Sequence, residues 1–192
     1  MKIFIETERV ILREILPTDE NGLLDLDSNP KVHTYLGNNP VDNIYQIREV
    51  IKMIRQQYID NGIGRWAIIN KETNDFIGWT GLKFVTEKTN NHINFYDLGY
   101  RLIEKYWGKG MATETTKAIL NYAFEKLKLT EIYSMCDVGN LGSKNVLEKT
   151  GLKFIETFDL DGIKHNWFRL QKTNGQENKA ERLTVSFVQV RL

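Results

Sequence analysis

The chain has 192 residues, 41% of them hydrophobic and 27% charged, which fits one globular domain and excludes wholesale disorder and fibrous repeats. Lys plus Arg number 26 against 25 for Asp plus Glu, so there is no global positive field to drive nonspecific binding to nucleic acid or an anionic membrane, and any anionic ligand must be held locally. The single cysteine, Cys136, excludes an internal disulfide, and the scattered His33, His92 and His165 offer no metal-ligand spacing, so no metal is expected.

The opening MKIFIETERV turns acidic too early for a signal peptide, and no apolar run approaches the roughly 18 residues of a membrane span. A soluble, cytoplasmic protein is expected. Residues 9–15, RVILREI, read as a strand, and Pro17-Thr18-Asp19-Glu20 opens a short helix through Leu26 with Thr18 as its N-cap. From Asp42 to Asn61 the apolar Ile44, Ile47, Ile51, Ile54 and Tyr58 recur at helical spacing, and Asn61-Gly62 ends that helix.

Residues 65–69, 76–85 and 94–102 then read as a three-strand meander, with turns at 71–75 and 86–92. Ala112, Thr116, Ile119, Ala123 and Leu127 mark a helix over 111–127. A strand at 132–136 and a helix at 143–150, stopped by Gly151, follow, and Asp161-Gly162 is a hairpin signal between two last strands. The order predicts a mixed α/β sheet with helices on its faces, one domain over residues 1–171. Residues 172–192 read as a polar linker followed by LTVSFVQVRL, a candidate extra strand.

The chemistry concentrates in DLGYRLIEKYWGKGMATE, residues 97–114: strand, glycine loop with two lysines, helix. Gly108 and Gly110 let the backbone approach a ligand closely, and loop N–H groups together with the positive end of the following helix form a phosphate cradle, with Lys105 and Lys109 adding charge. A nucleotide P-loop is excluded because no Gly-Lys-Ser/Thr run is present. A dinucleotide fingerprint lacks its third glycine, Thr113 standing there, although Asp137 follows the next strand as a ribose-binding acid would; that alternative stays open.

Trp107-Gly108-Lys109-Gly110-Met111-Ala112 resembles the acyl-CoA pyrophosphate loop of the GCN5-related N-acetyltransferase (GNAT) superfamily, in its ribosomal-protein-alanine N-acetyltransferase-like branch. Trp107 departs from the Arg/Gln of that pattern. Asn140-Leu141-Gly142-Ser143, Gly151-Leu152, the opening RVILRE with PTD and the closing DGIKHNWFRL also resemble that branch, over residues 7–170. The resemblance implies a single-domain GNAT fold: a mixed, mostly antiparallel central sheet with helices on both faces and a splayed strand pair holding acyl-CoA. It further implies that backbone groups of Tyr100, Arg101 and Leu102 pair with the pantetheine arm, that residues 107–113 (Trp107, Gly108, Lys109, Gly110, Met111, Ala112, Thr113) wrap the pyrophosphate, and that Asn140 bonds the arm near its thiol end. Helix capping is the structural alternative for Asn140 and Ser143.

Acetyl transfer to an amine needs a deprotonated nitrogen, stabilisation of the oxyanion and protonation of the departing thiolate. Asp97 is the candidate base or amine-orienting acid. Where many relatives carry a Tyr that protonates the thiolate, this chain has Leu147, so Ser143, which matches a serine of the ribosomal-protein-modifying branch, is the candidate acid. Deprotonating an amine of pKa ~10.4 at pH 7 costs about 4.6 kcal/mol, and an α-amine of pKa ~8 about 1.4, which favours an α-amino acceptor. His33 or Tyr35, in the loop SNPKVHTYLGN, would help from the acceptor side.

The expectation is a monomeric or homodimeric acetyltransferase that uses acetyl-CoA as co-substrate, with a peptide N-terminus ahead of a small molecule as the amine acceptor. The alternatives are a polyamine or aminoglycoside acceptor, favoured by an acidic pocket built from Glu87 and Asp97, or a non-catalytic CoA-binding module.

Overall fold

A computed structural model describes residues 2–172; the candidate strand in LTVSFVQVRL lies outside the described residues. In chain order the elements are β1 (Ile3–Glu6), β2 (Val10–Glu14), α1 (Glu20–Asp27), α2 (Pro30–His33), α3 (Ile44–Asn61), β3 (Arg65–Asn70), β4 (Phe76–Val85) and β5 (Phe95–Leu102). They continue with α4 (Met111–Glu125), β6 (Glu131–Asp137), α5 (Leu141–Lys149), β7 (Lys153–Leu160) and β8 (Ile163–Gln171). The eight strands form one sheet in the order β1-β2-β3-β4-β5-β6-β8-β7, antiparallel throughout except where β5 meets β6. The expected mixed, mostly antiparallel sheet is therefore present.

Several local expectations need correction. Thr18 does not cap the first helix: Asp19 stands at its N-terminus, and its carboxylate turns back to accept from the Leu16 amide at 2.8 Å and to pair with Arg13 through both oxygens. The segment SNPKVHTYLGN is not wholly loop, because Asn29 caps the one-turn helix α2 by accepting from the Lys31 amide. Too few residues for a periodic pattern made α2 and the four-residue β1 invisible in the sequence. Helix α5 begins two residues before Ser143, since Asn140 caps it.

The long helices follow their stripes. In α3, Ile47, Ile51 and Ile54 are buried, Asn43 caps the start, and Gly62 closes the end at φ 68°, a conformation that disfavours any residue with a Cβ. Helix α4 packs on one face of the sheet, where Trp66 of β3 stacks on Phe4 at 4.2 Å and meets Tyr122 edge-on at 5.2 Å. The opposite face is crossed by α1, whose Asp27 bonds Arg101 of β5. A smaller apolar cluster, Val85, Phe95, Tyr133 and Trp167, sits where β4, β5, β6 and β8 come together.

Candidate active site

Strands β5 and β6 share one register pair, Asp97 with Tyr133, reinforced by a side-chain bond from the Ser134 hydroxyl to the Leu98 carbonyl at 2.7 Å. Beyond that point they part. Antiparallel pairing gives alternate residues of β5 to β4: the Ile103 amide donates to Ile77 and the Gly99 carbonyl accepts from the Thr80 hydroxyl. The amide and carbonyl of Arg101 therefore face β4, while those of Tyr100 and Leu102 face the gap. The Leu102 carbonyl is already engaged by the Trp107 indole N–H at 2.7 Å. Of the three backbone positions expected to line the gap, Tyr100 offers both groups, Leu102 its amide, and Arg101 neither.

The glycine loop follows directly. After one 3-10 turn at Glu104–Tyr106, Gly108 and Gly110 both adopt left-handed backbone, at φ 70° and 77°, and Gly110 is the N-cap of α4. A Cβ at Gly108 would meet nothing, and one at Gly110 only an Arg9 nitrogen at 3.6 Å, so these glycines are required by conformation rather than by space. The first α4 amide bonded back into the helix is that of Glu114, donating to Gly110, which leaves the amides of Met111, Ala112 and Thr113 directed out of the helix end. Arg9 braces the loop from the β1–β2 turn: it bonds the Lys109 carbonyl at 2.9 Å and Glu114 at 2.5 Å, and Thr7 donates to the same carboxylate at 2.6 Å. The ammonium groups of Lys105 and Lys109 lie over the Tyr106 ring.

Asp97 lies on the sheet face crossed by α1. Its Oδ1 is buried without a hydrogen-bond partner, and burial pushes its carboxyl up to about 7, with Arg65 and Lys83 pulling the other way. Lys83 is directly opposite it on β4. On the same face Arg65 pairs with Gly81 and Gly81 with Gly99, so no side chain stands between Arg65 and the middle of β5. Trp79 crosses that space: its ring lies 3.2 Å from where a Cβ of Gly99 would sit, with the guanidinium of Arg65 over it at 4.6 Å and that of Arg101 at 5.3 Å. Arg101 is paired with buried Asp27 at 2.5 Å, and His33 approaches that carboxylate at 4.0 Å. Burial, then Arg101, lower His33 from its ordinary value, so its imidazole is neutral at pH 7. Glu87 is exposed in the turn after β4, and the charges that act on Asp97 are the cations Arg65 and Lys83.

Across the gap, Asn140 accepts from the Ser143 amide at 3.0 Å, the capping role foreseen as its structural alternative. The Ser143 hydroxyl is 3.0 Å from the hydroxyl of Tyr100, which also reaches the Ser143 carbonyl. Burial holds the Tyr100 phenol above its ordinary value, and the Cys136 thiol beside Ser143 is likewise raised by burial. The contact joins β5 to α5 across 43 residues of sequence. Leu147, where relatives place a tyrosine, is fully buried. Tyr35, beyond α2, reaches the β6–α5 turn, its ring 3.2 Å from where a Cβ of Gly139 would sit. Arg65, Trp79, Asp27 and the Tyr100 side chain were not singled out from the sequence, which shows only unremarkable strand and helix letters at these positions.

The model of the acetyltransferase (GNAT) domain family matches residues 9–153. A curated relative, the uncharacterized N-acetyltransferase p20 of Bacillus licheniformis, is 30% identical over 141 residues, 73% of this chain and 77% of its own length. Two solved structures share the fold. The ribosomal L7/L12 α-N-protein acetyltransferase RimL, in complex with coenzyme A, has a TM-score of 0.75 at 16% identity, covering 88% of this chain and 98% of its own. The spermidine N-acetyltransferase of Vibrio cholerae, in complex with CoA and spermine, has a TM-score of 0.67 at 18% identity, covering 84% and 95%.

Proposed function

Because this chain belongs to the GNAT acetyltransferase family, we propose that it transfers the acetyl group of acetyl-CoA to a primary amine, and that the amine is an α-amine rather than one of a polycation. The observation that carries the reading is the parting of β5 from β6 beside a loop whose two glycines are left-handed at the start of α4. A strand gap with unpaired amides suits an amide-bearing arm, and free helix-end amides suit a diphosphate. Acetyl-CoA, when bound, supplies the acetyl group and a thiolate leaving group.

The chain's own residues then divide the work. Tyr100 and Leu102 would pair with the pantetheine arm through the backbone groups that face the gap. Residues 107–113 would hold the pyrophosphate, and the side-chain amide nitrogen of Asn140 remains available to the arm while its oxygen caps α5. Asp97, with a buried oxygen free of partners and a carboxyl raised to about 7, is fit to take a proton from the acceptor amine near neutral pH. Ser143 would hold the proton destined for the sulfur, and the Tyr100 phenol, kept protonated by burial, would hydrogen-bond and orient that hydroxyl.

The preference for an α-amine rests on charge. Asp97 is flanked by Arg65 and Lys83, and Asp27 is committed to Arg101, so a polyamine would bring several ammonium groups to a face with one carboxylate to spare. Thiol release from acetyl-CoA against peptides, free amino acids, polyamines and aminoglycosides tests the reading: turnover with α-amines above that with spermine is expected. CoA binding without acetylation of any acceptor would make the chain a binding module instead.

A further inference from the structure

Arg65 is a cation in want of an anion. Its guanidinium is half-buried, lies over the Trp79 ring at 4.6 Å, and forms no ion pair with any carboxylate of the described residues. Its neighbour Arg101 shows how this face treats a charge that serves the fold: it is matched by Asp27 at 2.5 Å. A half-buried guanidinium with no carboxylate on it keeps its fork of N–H donors free for an incoming anion. The remaining carboxylate of the face, Asp97, is close enough to feel Arg65 but makes no contact with it. Between the two, the glycine pair Gly81–Gly99 leaves the sheet without side chains, so Trp79 forms the floor. Arg65 and Gly99 share a transverse row two strand spacings apart, roughly 10 Å.

We propose that the acceptor is an amine that carries a carboxylate, its nitrogen at Asp97 and its carboxylate on the Arg65 fork above Trp79. The inference rests on the acetyltransferase reading above. One unpaired guanidinium matches one carboxylate in both charge and planar geometry, whereas a phosphate dianion calls for a second free cation. A free amino acid and a peptide with an acidic second residue both present this pair of groups, and the acceptor set distinguishes them.

Steady-state thiol release by the full chain would be measured with acetyl-CoA and matched acceptors: amino acids against their carboxamides, C-terminally amidated tetrapeptides with Asp or Asn at the second position, and spermine. In at least one matched series, kcat/KM for the acidic member should exceed that of its amide by ~10-fold or more, and Arg65→Gln should abolish the preference by lowering only the acidic member's value, by ~10- to 100-fold, as expected for a lost charged hydrogen bond. Arg65→Lys, which keeps the charge but not the fork, should fall between. Melting temperature and CoA affinity of both variants should match the parent, which a purely structural role for Arg65 would not allow. Equal use of acids and amides, a preference for spermine, or an equal loss on both members in Arg65→Gln overturns the carboxylate while leaving acetyl transfer standing. Absence of thiol release with every acceptor overturns both.

Discussion

The two sides of the gap between β5 and β6 solve recognition by different means. The glycine loop, proposed above to hold the coenzyme, presents mainly backbone: left-handed Gly108 and Gly110, the free amides of 111–113, and a brace from Arg9 that holds the loop by a carbonyl and a carboxylate. The opposite sheet face offers side chains: Asp97, Arg65, Trp79, Lys83 and the Arg101–Asp27 pair, drawn from α1 and three strands. A backbone cradle reads a shape common to every CoA ester, whereas side chains can be exchanged one at a time to choose an acceptor. On the proposed reading the first serves the coenzyme and the second the choice of acceptor.

The sharpest way to separate the two is to spoil one and spare the other. Gly110→Glu puts a negative side chain into the cradle; a Cβ there meets only Arg9, so the fold should survive the strained φ of 77°. CoA affinity, read by calorimetry, should fall by at least ~100-fold through charge repulsion, with an unchanged circular dichroism spectrum. Unchanged affinity would remove the loop from the site.

Asp97→Asn does the converse. Turnover should drop by ~10²- to 10⁴-fold, the usual range for a general base, while the KM for acetyl-CoA stays close to the parent value. In the parent, activity should rise with pH through about 7 as Asp97 ionises, and the variant should lose that limb. Stability supplies a second readout. The folded carboxyl is raised above its ordinary 3.8, so the native state binds the extra proton between about 4 and 7, and the parent loses stability as pH rises across that window. The melting temperature of Asp97→Asn relative to the parent should accordingly be higher at pH 8 than at pH 4. A pH-independent difference would mean that Asp97 is not the buried acid described.

A smaller effect is expected across the gap. Tyr100→Phe removes the hydroxyl that bonds Ser143 and should lower kcat by about 10-fold, with Ser143→Ala giving a similar loss and the double variant little more, since both act on one proton. Additive losses would show that the two hydroxyls work apart. Smallest of all, Arg9→Ala loosens the loop without touching its amides; losing a partly exposed ion pair worth up to about 1 kcal/mol should raise the Kd for CoA by about threefold and leave acceptor kinetics alone.

Local signals announced the elements whose physics is local. The stripes of α3 and α4, the Gly62 stop and the Asp161-Gly162 hairpin were legible because helical period, left-handed glycine and tight turns depend on neighbours in the chain. The same holds for the glycine loop, a contiguous run whose conformation is written in its own letters. Thr18 misled because a 3-10 turn at Pro17–Asp19, held by Asp19 bonding the Leu16 amide and Arg13, comes before the helix and moves its start to Glu20. The one-turn α2 and the short β1 lay below the length at which periodicity can speak.

Taken alone, then, the amino-acid order determined the alternation of strands and helices, the place of the glycine turn proposed to hold the pyrophosphate, and Asp97 and Ser143 as candidates for proton transfer. Tertiary packing decided what surrounds those candidates: Arg65 and Lys83 rather than Glu87 beside Asp97, Tyr100 rather than a helix tyrosine beside Ser143, and a tryptophan floor over a pair of glycines. The reason is distance along the chain. Backbone conformation is fixed within a few residues, but burial, charge and contact are sums over strands that meet only when the sheet closes, and no local window contains them.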